Sequence, residues 1–334
     1  MENPKKFLSI AILALALVSL AVLIFGFFTG AFGLIAKSNL LFFSLSIACF
    51  LLSVAAWLLG WSLLVMKRGR KPFGKVFSAG FASVFGALTP IQLGSDVLRG
   101  AFLKEEFNVR FSEGFSASMI VKGLKFSVLS FASLLLLSAV FFSSAIDPIL
   151  AIPLFSGLFV VLLASLLFLL PLDKKIGRRI SRLFGALSKK IRFLKPLEKY
   201  FLDYSDFLGE FSGGALLATM LFAALSWCLE FASLFFAFAS LSIPVSPLPL
   251  AVLFVLLALL ERAPLLPRGI LLVESAGFLF LSVPIISASR LSVAEISSVL
   301  ILYDASRLIF PTLASLLFYF LWKKSRKSAA GTKI

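Results

Sequence analysis

Two short polar segments interrupt the long apolar runs of this chain, and their side chains are suited to binding a phosphate-bearing group. Residues 88–103 read LTPIQLGSDVLRGAFL, and residues 261–274 read ERAPLLPRGILLVE. Arginine holds phosphate through paired hydrogen bonds, and an acid can contact an amine or a sugar hydroxyl. Charged, irregular backbone at membrane depth is tolerated only where protein buries it or where it lines a cavity. The two segments therefore predict a binding site.

The first segment offers both hydrogen-bonding side chains and a flexible backbone. Its candidate binding residues are Thr89, Gln92, Gly94, Asp96 and Arg99. Gly94 permits a tight turn or a close backbone approach, and a helix that begins near it would direct its N-terminus at an anion. Two interpretations of Asp96 stay open, because its carboxylate could cap that helix or belong to the site.

The C-terminal half carries further charges within or beside apolar runs. A charged side chain at membrane depth costs at least about 2.5–3.5 kcal/mol on insertion scales and usually needs a partner. The candidate binding residues here, with Glu261 beside them, are Glu230, Arg262, Arg268, Glu274, Asp304 and Arg307. They could form salt bridges between helices or a headgroup site in which arginine grips a phosphate, and the two interpretations are compatible.

The composition indicates which elements must position these residues. The 334 residues are 60% hydrophobic, with a mean hydropathy of +1.06, which is typical of transmembrane helices and leaves no room for a soluble domain. The net charge of +16 comes from basic residues beside apolar runs, so it indicates topology and anionic lipid, and no nucleic-acid partner is expected. The chain has no histidine, which excludes histidine-based catalysis and metal ligation.

The apolar pattern predicts an all-α polytopic integral membrane protein, with residues 1–334 forming a single transmembrane domain. Six runs are long enough to cross a bilayer, at residues 7–28, 38–66, 124–143, 149–171, 214–241 and 299–322. Residues 73–98 and 248–283 are interrupted by glycine, proline and charge, so we interpret them as two re-entrant helix pairs. Splitting both regions would raise the count to eight crossings. The two pairs enter from opposite sides, which suggests an inverted repeat.

Charge placement supports this topology. With the N-terminus in the cytoplasm, nearly all of the 32 basic residues lie on the cytoplasmic side, as the positive-inside rule requires. Only Lys37 and Arg290 lie outside, and Arg262, Arg268 and Arg307 lie in the membrane. Both termini are therefore predicted to be cytoplasmic. Residues 172–213 form a basic connector in which apolar residues recur at helical spacing, as in a helix lying on the cytoplasmic leaflet.

One enzyme signature is present only in part. Residues 105–110 read EEFNVR and match the EExxxR signature of intramembrane CAAX-type proteases. Those sites also need histidines, which this chain lacks, and the same argument excludes phosphatidic-acid-type lipid phosphatases. An enzyme of these classes is therefore not expected.

The motifs together resemble the lysylphosphatidylglycerol synthase transmembrane family, also described as flippase-like. The resemblance spans nearly the whole chain: Pro90, Gly94, Asp96, Arg99 and Leu103 match the first motif, Pro267, Gly269 and Glu274 match the second in spacing, and Tyr303, Asp304 or Arg307, and Pro311 match the last span. Arg268 and Leu271 stand where the family usually has glycine. Large members add a cytoplasmic aminoacyl-transfer domain, so the resemblance implies the membrane module without the synthase.

These patterns lead to a functional hypothesis. We expect a plasma-membrane protein that translocates an anionic phospholipid or a polyprenyl-phosphate-linked lipid, without a cofactor. No nucleotide-binding motif is present, so movement would be energy-independent or driven by an ion or lipid gradient. Two alternatives stay open: an enzyme or accessory factor in lipid-linked glycan or lipid modification, with Asp96 or Glu274 catalytic, and a non-catalytic scaffold for a separate transferase. The expected partners are membrane lipids and such a lipid-modifying or glycosyl-transferring enzyme.

Overall fold

A computed structural model describes residues 4–67, 71–88, 94–143, 148–170, 173–188, 204, 213–261, 269, 272–282 and 291–331. Within these ranges all regular structure is helical, as the apolar pattern predicts. The helices in chain order are α1 Pro4–Thr29, α2 Ala31–Ile35, α3 Leu40–Lys67, α4 Phe73–Ala82, α5 Gly94–Phe107, α6 Phe111–Ser143, α7 Pro148–Leu169, α8 Lys174–Ser188, α9 Gly213–Ser240, α10 Pro247–Glu261, α11 Leu272–Ser282, α12 Val293–Asp304 and α13 Phe310–Gly331.

Five stretches in the described part of the chain are long and apolar enough to cross a membrane. They are Leu8–Thr29, Leu40–Met66, Phe111–Ser138, Gly213–Ser240 and Val293–Lys324. Each overlaps a run predicted to span, and α7 covers the remaining predicted run. Large apolar side chains on the outer faces are exposed, and Phe28 on α1 is 81% exposed. Such a surface is stable in lipid and not in water.

Helix α6 begins earlier than the predicted run. The sequence interpretation started this span at residue 124 and counted the basic residues of 99–125 as cytoplasmic, whereas α6 already begins at Phe111. Lys122 and Lys125 therefore lie within the helix, and Lys125 is buried. The earlier start moves two cations from the predicted cytoplasmic segment into a helix long enough to cross a membrane.

Helices α3 and α9 form the most extensive helix pair of the structure. They run antiparallel, and small residues meet along their contact at steps of about two helical turns. The pairs are Ser46 with Ser233 (Oγ–Oγ 3.1 Å), Ser53 with Ser226 (Oγ–Oγ 2.9 Å) and Gly60 with Thr219 (Thr219 Oγ1 to the Gly60 carbonyl, 3.4 Å). Small residues let helix backbones approach closely in a membrane, and their hydroxyls hydrogen-bond across the contact.

The glycine of this seam provides a first test. A Cβ at Gly60 would lie 3.1 Å from Thr219 Cγ2, so Gly60→Leu is expected to push α3 and α9 apart and to lower the free energy of unfolding by about 1–3 kcal/mol. SDS titration of the detergent-solubilised protein measures this change. Gly33→Leu is the matched control, because a Cβ at Gly33 meets nothing within 4 Å; equal losses in both variants would contradict the close contact.

Both polar segments coincide with breaks between short helices. In the first, α4 and a 3₁₀ turn at Val84–Leu88 precede the break, and α5 begins after it at Gly94. In the second, α10 ends at Glu261 and α11 begins at Leu272. The helices on the two sides of each break pack against each other. Residues 89–93 and 262–271 therefore each join two helices that pack against each other, and we call each pair of helices a hairpin.

The hairpins are held inside the protein. Every residue of α10 from 252 to 259 is buried, which is typical of a helix that is hydrophobic on all sides. Helix α5 contacts α6 closely, because a Cβ at Gly100 would lie 2.9 Å from the Phe111 carbonyl oxygen. The described helices α5 and α10 are thus packed against other parts of the protein.

Helices α12 and α13 follow each other as one long helix that is interrupted in the middle. A capping box starts α12: the Ser292 hydroxyl accepts from the Glu295 amide, and the Glu295 carboxylate accepts from the Ser292 amide. Between α12 and α13 the backbone widens into a π-helical turn at Ala305–Ile309. Such turns often occur at functional sites, and this one carries Arg307.

The basic connector is helical over the part that the structure describes. Helix α8 follows Asp173, whose side chain accepts a hydrogen bond from the Lys175 amide at 2.7 Å. Arg178, Arg179 and Arg182 are exposed, and Leu183 on the same helix is 62% exposed. Exposed arginine and leucine on one short helix are typical of a helix that lies in a membrane interface.

Candidate functional site

A cavity of about 80 Å³ lies between α3, the first hairpin, α6, the middle of α9 and the C-terminal end of α10. Its apolar wall includes Phe50, Val54, Trp57, Val84 and Val121. Its polar wall consists of Ser95, Arg99, Lys122, Lys125, Glu230 and Glu261. Three cations and two acids thus face one space inside a protein whose outer surface is apolar.

Arg99 is held rigidly at the back of this cavity. Its side chain is fully buried, and its guanidinium donates to three serine hydroxyls, those of Ser83 at 3.1 Å, Ser95 at 3.0 Å and Ser118 at 3.0 Å. The ring of Trp57 lies 4.3 Å from the guanidinium carbon, within the range of a cation–π interaction. Because α4, α5, α6 and α3 all contribute to this contact set, the arginine links the first hairpin to the membrane-spanning helices.

Asp96 pairs with two cations. One of its oxygens lies 3.1 Å from Arg99 Nη1, and the other contacts the ammonium of Lys122. The carboxylate accepts no hydrogen bond with standard geometry from the residues that the structure describes. The described contacts of Asp96 therefore do not include a helix cap. In these contacts its carboxylate acts as a counter-ion. The Lys122 side chain is 24% exposed, so it is the most accessible cation of the cavity.

A second buried ion pair, between Lys125 and Glu230, also lines the cavity. Lys125 Nζ donates to Glu230 Oε1 at 2.5 Å, and that oxygen also accepts from the hydroxyls of Ser53 at 2.9 Å and Ser226 at 3.4 Å. The Trp227 ring lies 4.4 Å from Lys125 Nζ, and its indole N–H donates to the Lys125 carbonyl at 2.8 Å. The small-residue seam of α3 and α9 thus continues into the cavity through Glu230.

A third charged cluster lies outside the cavity lining. Arg307, fully buried on the π-helical turn, donates from Nε to Asp304 at 2.7 Å and from Nη2 to Glu274 at 2.6 Å. Tyr303 directly precedes this turn and is buried.

The predicted site residues divide into three groups. Gly94 starts α5, Asp96 pairs with Arg99 beside the cavity, and Glu230 also lines the cavity. Glu274, Asp304 and Arg307 come together as the separate cluster, so the predicted network of C-terminal charges is split between two places. The remaining four, Thr89, Gln92, Arg262 and Arg268, lie outside the described residues.

Lys122 and Lys125 are the site residues that the sequence interpretation missed. They were counted as cytoplasmic because the span was started too late, although their three-residue spacing places them on one face of a helix. A second signal was available, since Glu230 in the middle of an apolar helix required a cationic partner. Lysines in apolar surroundings, such as Lys122 and Lys125, are therefore candidate partners of Glu230.

The arrangement is suited to binding an anion. Two lysines and a pre-positioned arginine offer ammonium and guanidinium donors, which form the strongest hydrogen bonds with phosphate. No group of three metal-ligating side chains occurs within the described ranges. The apolar wall beside the cations provides a surface for hydrocarbon.

Comparison with known proteins agrees with the motifs. The family model described as the lysylphosphatidylglycerol synthase TM region matches residues 7–315. No curated protein and no solved structure matches the chain. Because the match covers both hairpins, the cavity and the Arg307 cluster, this chain belongs to the family of lysylphosphatidylglycerol synthase transmembrane regions.

Proposed function

We propose that this membrane protein translocates a lipid with a phosphate-bearing headgroup, either an anionic phospholipid or a polyprenyl-phosphate-linked lipid. The observation that carries the proposal is the cavity, in which Arg99, Lys122 and Lys125 face an apolar wall. Cations inside a membrane protein are costly and mark substrate pathways. A charged headgroup needs such a polar environment to cross the membrane, while the hydrocarbon chains of the lipid stay against an apolar surface.

The proposal includes a more detailed topology. Six helices cross the membrane, and the hairpins α4–α5 and α10–α11 are re-entrant, entering from opposite sides. Supporting this, α10 is buried along most of its length, and both hairpins carry charge, which protein must shelter at membrane depth. Basic residues concentrate on the side assigned to the cytoplasm, so both termini are cytoplasmic and the protein lies in the plasma membrane.

An inverted repeat relates the two halves in this proposal. Residues of α3 and α9 correspond at one constant separation along the chain: Ser46 corresponds to Thr219, Ser53 to Ser226, and Gly60 to Ser233. With this correspondence, the contact of Ser46 with Ser233 becomes the contact of Thr219 with Gly60. A two-fold axis through the contact of Ser53 with Ser226 would exchange α3 and α9 in the same way. Substrate sites of inverted-repeat transporters lie near the axis, and the Ser53 hydroxyl contacts Glu230 in the cavity wall.

The corresponding acids of the two hairpins give independent support. Asp96 is the third residue of α5, and Glu274 is the third residue of α11. Each pairs with a cation on a long helix, Asp96 with Lys122 on α6 and Glu274 with Arg307 after α12. Equivalent positions with equivalent chemistry are what a duplicated, inverted unit would retain.

A reconstituted translocation assay tests the function. The protein is placed in liposomes containing fluorescent phosphatidylglycerol, and dithionite reports the fraction that reaches the outer leaflet. The wild type is expected to move the lipid. Arg99→Ala combined with Arg268→Ala is expected to slow movement about tenfold or more, since both substitutions remove a guanidinium group, which is a strong donor to phosphate. Lys75→Gln is the control, because Lys75 is 63% exposed and pairs with Glu106 outside the cavity.

The same experiment separates the alternatives. Unchanged movement in the double arginine variant would contradict a site at these residues. Mass spectrometry of the liposome lipids would reveal an enzyme if a chemically modified lipid accumulates. No movement by the wild type, together with co-purification of a transferase, would instead identify a scaffold.

A further inference from the structure

Resting on the proposed function, we propose that Lys122 and Lys125 form the phosphate-binding site, and that the phosphate enters by displacing the carboxylates of Asp96 and Glu230. The two lysines are three residues apart on α6, so their side chains lie side by side on one helix face. Both line the cavity. One phosphate can therefore accept hydrogen bonds from both ammonium groups.

Accessibility distinguishes these lysines from Arg99. The Arg99 side chain is fully buried and donates to Ser83, Ser95 and Ser118, so most of its five N–H groups are already engaged. The side chains of Lys122 and Lys125 are 24% and 10% exposed. Arg99 thus positions Asp96 and adds a fixed positive charge, while the two lysines reach into the cavity.

Each lysine already holds an anion that mimics the ligand. Lys122 contacts the Asp96 carboxylate from α5, and Lys125 donates to the Glu230 carboxylate from α9. These acids come from different halves of the chain. A phosphate that replaces both of them would release the first hairpin on one side and the α3–α9 seam on the other. Binding and movement of the two halves would thereby be coupled through an exchange of counter-ions.

The ligand class follows from the lining. Its anionic group has the size of one phosphate, because two adjacent ammonium groups share it, and its hydrocarbon lies against Phe50, Val54 and Val121. A phospholipid with a phosphodiester and a polyprenyl monophosphate both have this chemistry. Free phosphate lacks the apolar part and is expected to bind weakly.

Tryptophan fluorescence tests this site directly, since Trp57 lines the cavity and Trp227 lies against Lys125. Detergent-solubilised protein is titrated with short-chain phosphatidylglycerol, geranyl phosphate, inorganic phosphate and diacylglycerol. Lys122→Gln and Lys125→Gln are each expected to weaken binding of the phosphate-bearing lipids roughly tenfold to hundredfold. Diacylglycerol, which has no phosphate, is expected not to bind at the site.

The acid partner gives a prediction of opposite sign. Glu230→Gln retains the shape and the hydrogen-bond acceptor for Ser53, but it removes the competing charge, so it is expected to tighten lipid binding roughly tenfold. A merely structural ion pair would make the glutamine variants at Lys125 and Glu230 weaken binding alike. That outcome, or equal binding of diacylglycerol, would overturn the proposal.

Charge-retaining variants protect the test against misfolding. Lys122→Arg and Lys125→Arg keep the positive charge and are expected to bind within about threefold of the wild type, since guanidinium also binds phosphate. Equal weakening by arginine and glutamine would overturn the proposal. If the protein binds lipid but does not move it in liposomes, the proposed translocation is contradicted and the lysine site is not. If the protein moves lipid but substitutions at both lysines leave binding unchanged, only the lysine site is rejected.

Discussion

Replacing Arg307 by methionine is expected to lower the free energy of unfolding by about 3–5 kcal/mol, because it leaves two acids without their buried counter-ion. Arg307 is fully buried and donates to Asp304 at 2.7 Å and to Glu274 at 2.6 Å. Methionine fills much of the volume, so the loss reports charge more than packing. SDS titration of the detergent-solubilised protein measures the change.

Two comparisons separate charge from position. Adding Asp304→Asn and Glu274→Gln to Arg307→Met removes the stranded charges and is expected to restore a large part of the lost stability. Lys75→Met removes an exposed pair with Glu106 at 3.1 Å and is expected to cost less than about 1 kcal/mol. A single Arg307 variant as stable as Lys75→Met would show that the cluster carries no structural charge pairing.

Replacing Gly86 by valine is expected to produce the second large effect. A Cβ there would lie 2.8 Å from the carbonyl carbon of Gly94 and from the amide nitrogen of Ser95. Both are backbone atoms of α5, which cannot move aside as a flexible side chain can. We expect a loss of about 3 kcal/mol in unfolding free energy and weaker lipid binding, since Ser95 and Arg99 line the cavity.

Gly74 supplies the control for this substitution. It lies in α4 on the same hairpin, and a Cβ there meets nothing within 4 Å, so Gly74→Val is expected to stay within about 1 kcal/mol of the wild type. Stability is read by SDS titration and binding by tryptophan fluorescence. If valine at Gly86 and at Gly74 behaved alike, the close approach between the 3₁₀ turn and α5 would be wrong.

Local patterns were enough to predict much of the architecture. The apolar runs predict membrane-crossing helices because every backbone group in a bilayer must be satisfied within the segment, and five stretches of the required length are present. A helix was predicted to begin near Gly94, and α5 begins there. The start of α6 could not be predicted in this way, because Lys122 and Lys125 lower the local hydropathy although they are sheltered by protein.

The pairing of charges could be predicted only in part. Asp96 and Arg99 are neighbours along one helix, and so are Asp304 and Arg307, so helical spacing alone brings each pair together. The contacts of Glu230 with Lys125 and of Glu274 with Arg307 join residues far apart in sequence. The predicted C-terminal network therefore included the residues that pair at Arg307, but it did not include Lys125, which pairs with Glu230.

The amino-acid order alone determined that this chain is a helical membrane protein with charged breaks, because hydropathy and backbone preferences act over a few helical turns. Only the tertiary structure decided that α6 carries two lysines into a cavity, that a seam of small residues joins α3 to α9, and that Glu230 faces Lys125. The physical reason is that a buried charge is stable only beside its partner, and which distant residue becomes that partner depends on how the helices pack.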